Sequence, residues 1–338
     1  MFPRVRPIHP ARRSKIKTFI IPQHHSRAIL ALCKSQGVTL TNAIFALVAL
    51  AWLRVVAFRS DPRNTRLSEA ERKRWKALGD ERMPIMMYTA VNPRPYMDER
   101  LAHLESYIFV ALGYLNIILP GFLPRLALKG CNTVEERHQM LERTFWLRAR
   151  SVRDQYQKFI RSPLFASRNV EMAKERASKA KAWAVIDDRE EDARRRKRNG
   201  LPPLPSPHFP SEKSASAQAD GNKQKQPKHP SAALLGLSLF ANLDAVYLPT
   251  NFPALDIVDH HEGTRKNTGS MLLMGYTFRG KIYSTLGWDA RCLEPGVVEE
   301  FWDTFEKTLK EFLIPDVEDV VFERGLECDV REMVEARL

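Results

Sequence analysis

Apolar and polar residues alternate along KIKTFIIP (15–22), the period of a strand, and the run ends at Pro22. From Ser26, a candidate helix N-cap, the period lengthens, and Ile29, Leu30, Leu32 and Cys33 mark an amphipathic helix that Gly37 stops. The next stretch, GVTLTNAIFALVALAWLR (37–54), can be capped by Thr39 or Thr41. It is apolar all round, so it must be buried in protein or in lipid. Residues 60–82 are charged, and MPIMMYTAVN (83–92) predicts a second strand. A second apolar region, 104–126, is interrupted by Gly113, Asn116, Pro120, Gly121 and Pro124. A long amphipathic helix is expected over 133–160, with Met140, Leu141, Phe145, Leu147, Val152 and Tyr156 as core positions, and charged helical sequence continues to about Arg198.

Residues 199–232 are rich in Pro, Ser, Lys, Gln and Asn and nearly empty of large apolar side chains. Such a segment cannot bury enough surface to offset its ordering entropy, and it reads as disordered. Strand patterns return at 234–247, 271–278 and 281–288, the last two joined by Arg279-Gly280, a tight-hairpin signal. Pro295 then introduces a helix with Val298, Phe301, Trp302, Phe305, Leu309 and Phe312 on its inner face. The order predicts an α/β fold, a mixed β-sheet flanked by helices. One domain begins over 1–180, is interrupted by a charged, low-complexity disordered insertion at 181–232, and resumes over 233–315 before a tail at 316–338.

A membrane span needs about 20 apolar residues. Residues 39–58 just reach that length but include Arg54, which costs roughly 2.5 kcal/mol or more at the centre of a span. Residues 107–124 offer a second, proline-broken candidate for peripheral membrane contact. A helix buried in a protein core is the reading that length and flanks favour for 39–58.

The net charge of +13 fits a phosphate-bearing partner, or none, because arginines crowd the N-terminal segment and RRRKR (194–198). That basic run stands beside the acidic 187–192 without interleaved aromatics, so a specific nucleic-acid role is not expected. Cys33, Cys131, Cys292 and Cys328 form no CxxC pair, which predicts neither a disulfide framework nor a zinc cluster and points to a reducing, cytoplasmic setting. No apolar run follows the basic N-terminus closely enough to make a signal peptide.

Five segments in order are similar to one family: CKSQGVTLTNAIFALVALAWLR, VNPRPYM, LSLFANLDAVY, MLLMGYTFRGKIYSTLGWDA and the closing helix. Together they resemble the C-terminal half of fungal O-acetyltransferases of the trichothecene 15-O-acetyltransferase group, within the superfamily of chloramphenicol acetyltransferase and peptide-synthetase condensation domains. The resemblance implies two similar α/β halves with a tunnel between them, entered by an acyl-CoA (acetyl-CoA in the simplest case) and by the hydroxyl of a small alcohol or secondary metabolite. It also implies a general-base histidine in an HxxxDG motif, suited to the role because imidazole titrates near neutrality.

None of the nine histidines here has aspartate at the fourth following position. His138 and His208 have glutamate there, without the glycine. His24-His25 and His260-His261 are expected to be exposed histidines, and no metal-ligand spacing is present. The expectation is therefore the C-terminal half of such an enzyme, a fragment or an inactive relative, with no catalytic residue of its own. Candidate tunnel or structural residues are Asn92 and Arg94, the latter resembling the superfamily arginine that pairs with the motif aspartate. Asn242 and Asp244 fall where a strand would face the tunnel, although such residues are common in turns. Trp288, more in keeping with the core than with a ligand, and Asp289 stand at a late strand end. Two other readings stay open: a non-catalytic module that binds acyl-CoA or a partner chain, and a membrane-associated protein anchored by 39–58 or 107–124. A half-fold would also expose its inter-half face and invite self-association.

Overall fold

The computed structural model describes residues 13–78, 83–96, 112–121, 132–202, 233–251, 253–264, 266, 269–314 and 321–329. The chain divides into two compact units, one of residues 1–91, 114–162 and 229–338 and the other of 92–113 and 163–228.

The first unit is built on a seven-stranded mixed sheet in the order β3-β2-β4-β5-β6-β1-β7. The strands are β1 (Ser14–Ile21), β2 (Ile85–Val91), β3 (Gly113–Leu119), β4 (Gly236–Asn242), β5 (Met271–Phe278), β6 (Lys281–Asp289) and β7 (Glu323–Asp329). β2, β4 and β5 run parallel, whereas β5, β6, β1 and β7 pair antiparallel in succession. The β5–β6 hairpin turns at Arg279 and Gly280, both at positive φ (51° and 71°), as a two-residue type I′ turn requires. The helices are α1 (Gln23–Ser35), α2 (Leu40–Ser60), α3 (Glu69–Leu78), α4 (Val134–Ile160) and α6 (Val297–Leu313), with α5 (Phe165–Arg198) in the second unit.

The uniform hydrophobicity of α2 has a structural cause: it lies among α3, α4 and α6 and is buried on every side. It starts with a reciprocal cap, in which Asn42 N donates to Thr39 Oγ1 (3.3 Å) and Thr39 N donates to Asn42 Oδ1 (2.9 Å). Arg54, the residue least suited to lipid, grips α6. It donates to both carboxylate oxygens of Glu311 (2.5 and 2.8 Å) and to Thr308 Oγ1 (3.1 Å), and stands 5.4 Å from the Phe312 ring. Arg59 similarly donates to Glu300 (2.7 Å) and lies over Trp75. Among the described residues α2 alone is long and apolar enough to cross a membrane, and 83% of its most apolar window is buried inside the protein. Of the other span candidate, 107–124, residues 112–121 are described, and there β3 alternates buried with more exposed positions.

Several sequence expectations need correction. Ser26 does not cap α1, which begins at Gln23; its fully buried hydroxyl donates to Ile21 O (2.9 Å) and accepts from Ile282 N (3.0 Å), tying the helix to β1 and β6. Leu147 is 63% exposed, because two residues carry it about 200° around α4 from buried Phe145; Trp146, Arg148 and Ala149 fill the buried stripe instead. The stretch expected to begin the insertion, from 181, continues α5 as helix to Arg198, while 203–232 lie outside the described residues. The tail holds β7, a charged edge strand on β1.

The second unit contains α5 and a 3-10 turn at Arg94–Tyr96, where Tyr96 meets Phe165 edge-on at 4.9 Å.

Candidate functional site

In the first unit the parallel strands β2, β4 and β5 end together, and a cavity of about 510 Å³ opens at their carboxyl ends. Thr89, Asn242 and Thr277 mark the strand ends. The N-terminus of α2 contributes Thr39, Thr41 and Asn42, and Leu30, Phe45, Ile117 and Val152 give it an apolar floor. The carboxyl ends of parallel strands are a usual place for ligands, since side chains and helix N-termini converge there without disturbing the sheet.

The polar rim offers donors. Asn42 is 7% exposed, and its Oδ1 is taken by Thr39 N and Thr39 Oγ1 (2.9 and 2.8 Å). Its Nδ2 therefore points the other way, and among the described residues it meets no acceptor. The first backbone N–H groups of a helix have no partner within the helix, and α2 has no acidic residue in its first turn to neutralise its positive end. Among the described lining residues the one charged side chain is Arg153, which donates to Gly37 O (2.9 Å) and to Asp154 (3.0 Å). No aspartate, glutamate or histidine is among the described lining residues. Such a site can hold a carbonyl oxygen, an oxyanion or a phosphate. Among its described lining residues there is no carboxylate or imidazole to take a proton from a hydroxyl.

The structure distributes the six sequence candidates among different tasks. Asn242 lines the cavity, but its Oδ1 is occupied by Asp244 N (3.1 Å) and Thr277 Oγ1 (3.3 Å), capping the turn after β4. Asp244 accepts from Arg279 N (2.5 Å) and Gly280 N (3.0 Å) and so fixes the β5–β6 turn. Asp289 is wholly buried and accepts from three backbone N–H groups, those of Arg13 (3.1 Å), Arg291 (3.2 Å) and Gly269 (3.0 Å). It staples three chain segments together. Trp288 is buried on the same sheet face as Phe19, which packs on α6. Asn92 and Arg94 belong to the second unit, where Asn92 Oδ1 accepts from Arg94 N (3.1 Å). Arg94 itself is exposed.

The other nucleophiles and bases stand elsewhere. Burial pushes the Cys33 thiol up to about 12, which keeps it protonated. His25 is buried, not exposed as expected, and burial and then neighbouring His24 lower its proton affinity. His261 pairs with Asp259 at 3.0 Å, and His260 is half-buried. Among the described residues no three His, Cys, Asp or Glu side chains converge so as to hold a metal ion. Sequence reasoning missed the cavity's main donor, Asn42; the TLTN spacing of a reciprocal cap was the signal that could have found it.

No protein-family model and no curated protein matches the chain. Solved structures do. The trichothecene 15-O-acetyltransferase TRI3 of Fusarium sporotrichioides superposes with a TM-score of 0.54 at 10% identity, over 89% of this chain and 47% of that one. The epimerization domain from the third module of tyrocidine synthetase B gives 0.47 at 9% identity, over 93% and 51%. The PapA2 acyl transferase gives 0.42 at 12% identity, over 93% and 48%. The chain thus spans about half the length of the structures it matches. Its fold, a mixed sheet flanked by helices, is similar to about half of the chloramphenicol acetyltransferase-like acyltransferase fold.

Proposed function

We propose that this chain forms one half of an acyl-CoA-dependent O-acyltransferase site, with the cavity at the α2 N-terminus receiving the acyl donor. One observation carries the reading: a cavity at the carboxyl ends of parallel strands, apolar in its floor and donor-rich at its rim, has no acid or histidine among its described lining residues. That composition suits the apolar acyl and pantetheine arm of a donor such as acetyl-CoA, with a carbonyl or phosphate oxygen at the helix end. It leaves the base to be supplied from outside this sequence, which has no HxxxDG. The acceptor is then a small alcohol or secondary metabolite that meets the donor at that second, histidine-bearing half.

The test is titration calorimetry of the purified chain with acetyl-CoA, together with an acyl-transfer assay. Saturable binding without turnover is expected. Asn42→Asp keeps the cap on Thr39 and adds a negative charge favourable to the helix end, so stability should hold while binding weakens by about tenfold or more. Absence of any acetyl-CoA binding to the folded wild type overturns the proposal. Binding that Asn42→Asp leaves unchanged would move the site away from this cavity, and turnover at enzyme rates by the chain alone would refute the missing-base argument.

A further inference from the structure

On the sheet face away from α6, residues 255–264 and Lys266 lie against β1, β6 and β5 as an irregular cover. Tyr276 on β5 donates its hydroxyl to His260 O, and Lys266 N donates to Ser14 Oγ on β1 (2.8 Å). The stem of Lys266 runs across bare backbone: a Cβ at Gly287 of β6 would stand 2.4 Å from Lys266 Cε. A Cβ at Gly263 would stand 3.6 Å from Ile16 Cδ1, so the segment also touches the apolar floor. Beneath it Tyr276 and Tyr283 stack at 4.7 Å and share a cluster with Ile20 and Phe278.

The cover holds two ionisable groups that are not paired with each other. Glu262 Oε1 is buried without a hydrogen-bond partner, as is His260 Nδ1. Lys266, 3% exposed, donates from Nζ to Thr264 Oγ1. Among the described residues neither charge has an opposite charge within ion-pair distance. Around them stand Tyr276 from β5 and Tyr283 from β6, with Asp259, His260 and His261 from the segment itself. Arg279 and Glu323 of β7 lie near Tyr283, and β1 brings Ile16, Thr18 and Ile20, which do not titrate. A buried charge without its counter-charge is costly, so each group resists its ionised form here.

We propose that the described residues 255–264 and Lys266 form a pH-governed cover on the β1–β6–β5 face, held down when Glu262 or Lys266 is neutral and loosened when both are charged. Burial pushes the Glu262 carboxyl from 4.5 up to about 7, Lys266 opposing, so seating binds a proton between those values and weakens as the pH rises through them. Burial lowers Lys266 from 10.5 to about 8, Glu262 opposing, so seating strengthens again as the pH rises from 8 to 10.5. The cover is loosest between about 7 and 8.

Hydrogen–deuterium exchange of the full chain, corrected for the intrinsic pH dependence of exchange, reads this directly. Protection of 255–266 should fall about tenfold from pH 5 to 7.5, while α2 and α6 hold theirs. Glu262→Gln should abolish the fall, and Lys266→Met should abolish the recovery above pH 8 and leave the acid limb. Histidine also titrates near neutrality, so the variant rather than the profile alone decides. A flat wild-type profile, a fall that survives Glu262→Gln, or a fall shared by α2 and α6 overturns the proposal. Should Glu262→Gln not fold, Lys266→Met applies the same test to the alkaline limb.

Discussion

Two covers lie on opposite faces of β1, and they are made of different material. On one face Phe19 meets Trp302 (4.8 Å), Phe322 (5.0 Å) and Phe305 (6.1 Å), so α6 is held by packed aromatic rings. On the other face Ile16, Thr18 and Ile20 look at an irregular segment held by single hydrogen bonds and carrying unpaired buried groups. Area removed from water is cumulative and insensitive to pH; a few polar contacts are neither. The first cover should therefore open only with the whole fold, and the second on its own.

The largest expected effect breaks the aromatic cover. Trp302→Ala should cost about 3–5 kcal/mol in denaturant unfolding, because Trp302 is fully buried against Phe19 and Phe305. Tyr276→Phe removes one hydroxyl bond, to His260 O, and should cost about 1 kcal/mol while raising exchange in 255–266. Equal costs for the two would erase the contrast.

A middle-sized effect lies where the helical side carries charge. Arg54→Met leaves the Glu311 carboxylate without its bidentate partner, at a site about a quarter to a third exposed on both sides. Solvent screens what remains, so a loss of about 1 kcal/mol is expected in unfolding. A neutral or stabilising result would mean that Arg54 serves only to keep α2 out of lipid.

The sequence carried the helical cover plainly. The inward positions of α6 (Val298, Phe301, Trp302, Phe305, Leu309 and Phe312) recur at helical spacing, and all are buried. Gly37 ends α1 in the left-handed conformation (φ 67°), and Arg279-Gly280 forms the β5–β6 turn. β7 escaped because an edge strand of alternating charge, ERGLECD, has little apolar period to show. The cavity was legible only in pieces. Asn242 is near its wall, yet Asn42, from a helix two hundred residues earlier, supplies the free donor, and no local pattern joins them. Asp289 drew notice as an acid at a strand end, but its three backbone partners come from segments far apart in sequence. Around Lys266 nothing local in the sequence shows that its stem is buried across Gly287.

The smallest effect sharpens the comparison by sign. His25 sits in α1, which packs on α2 and β6, and burial, then the His24 ring 3.8 Å away, lower its proton affinity in the fold. A base held below its ordinary value favours the folded state above that value, and the benefit is lost as the pH falls below about 6.5. His25→Gln should flatten part of the decline in global stability on that acid side, measured by urea unfolding between pH 4.5 and 7. Over the same interval local protection of 255–266 should move the other way, rising as the pH falls and Glu262 gains its proton. If the local and global quantities fell together on acidification, the two faces would be one cooperative unit, and the distinction between an apolar cover and a polar one would have no energetic content.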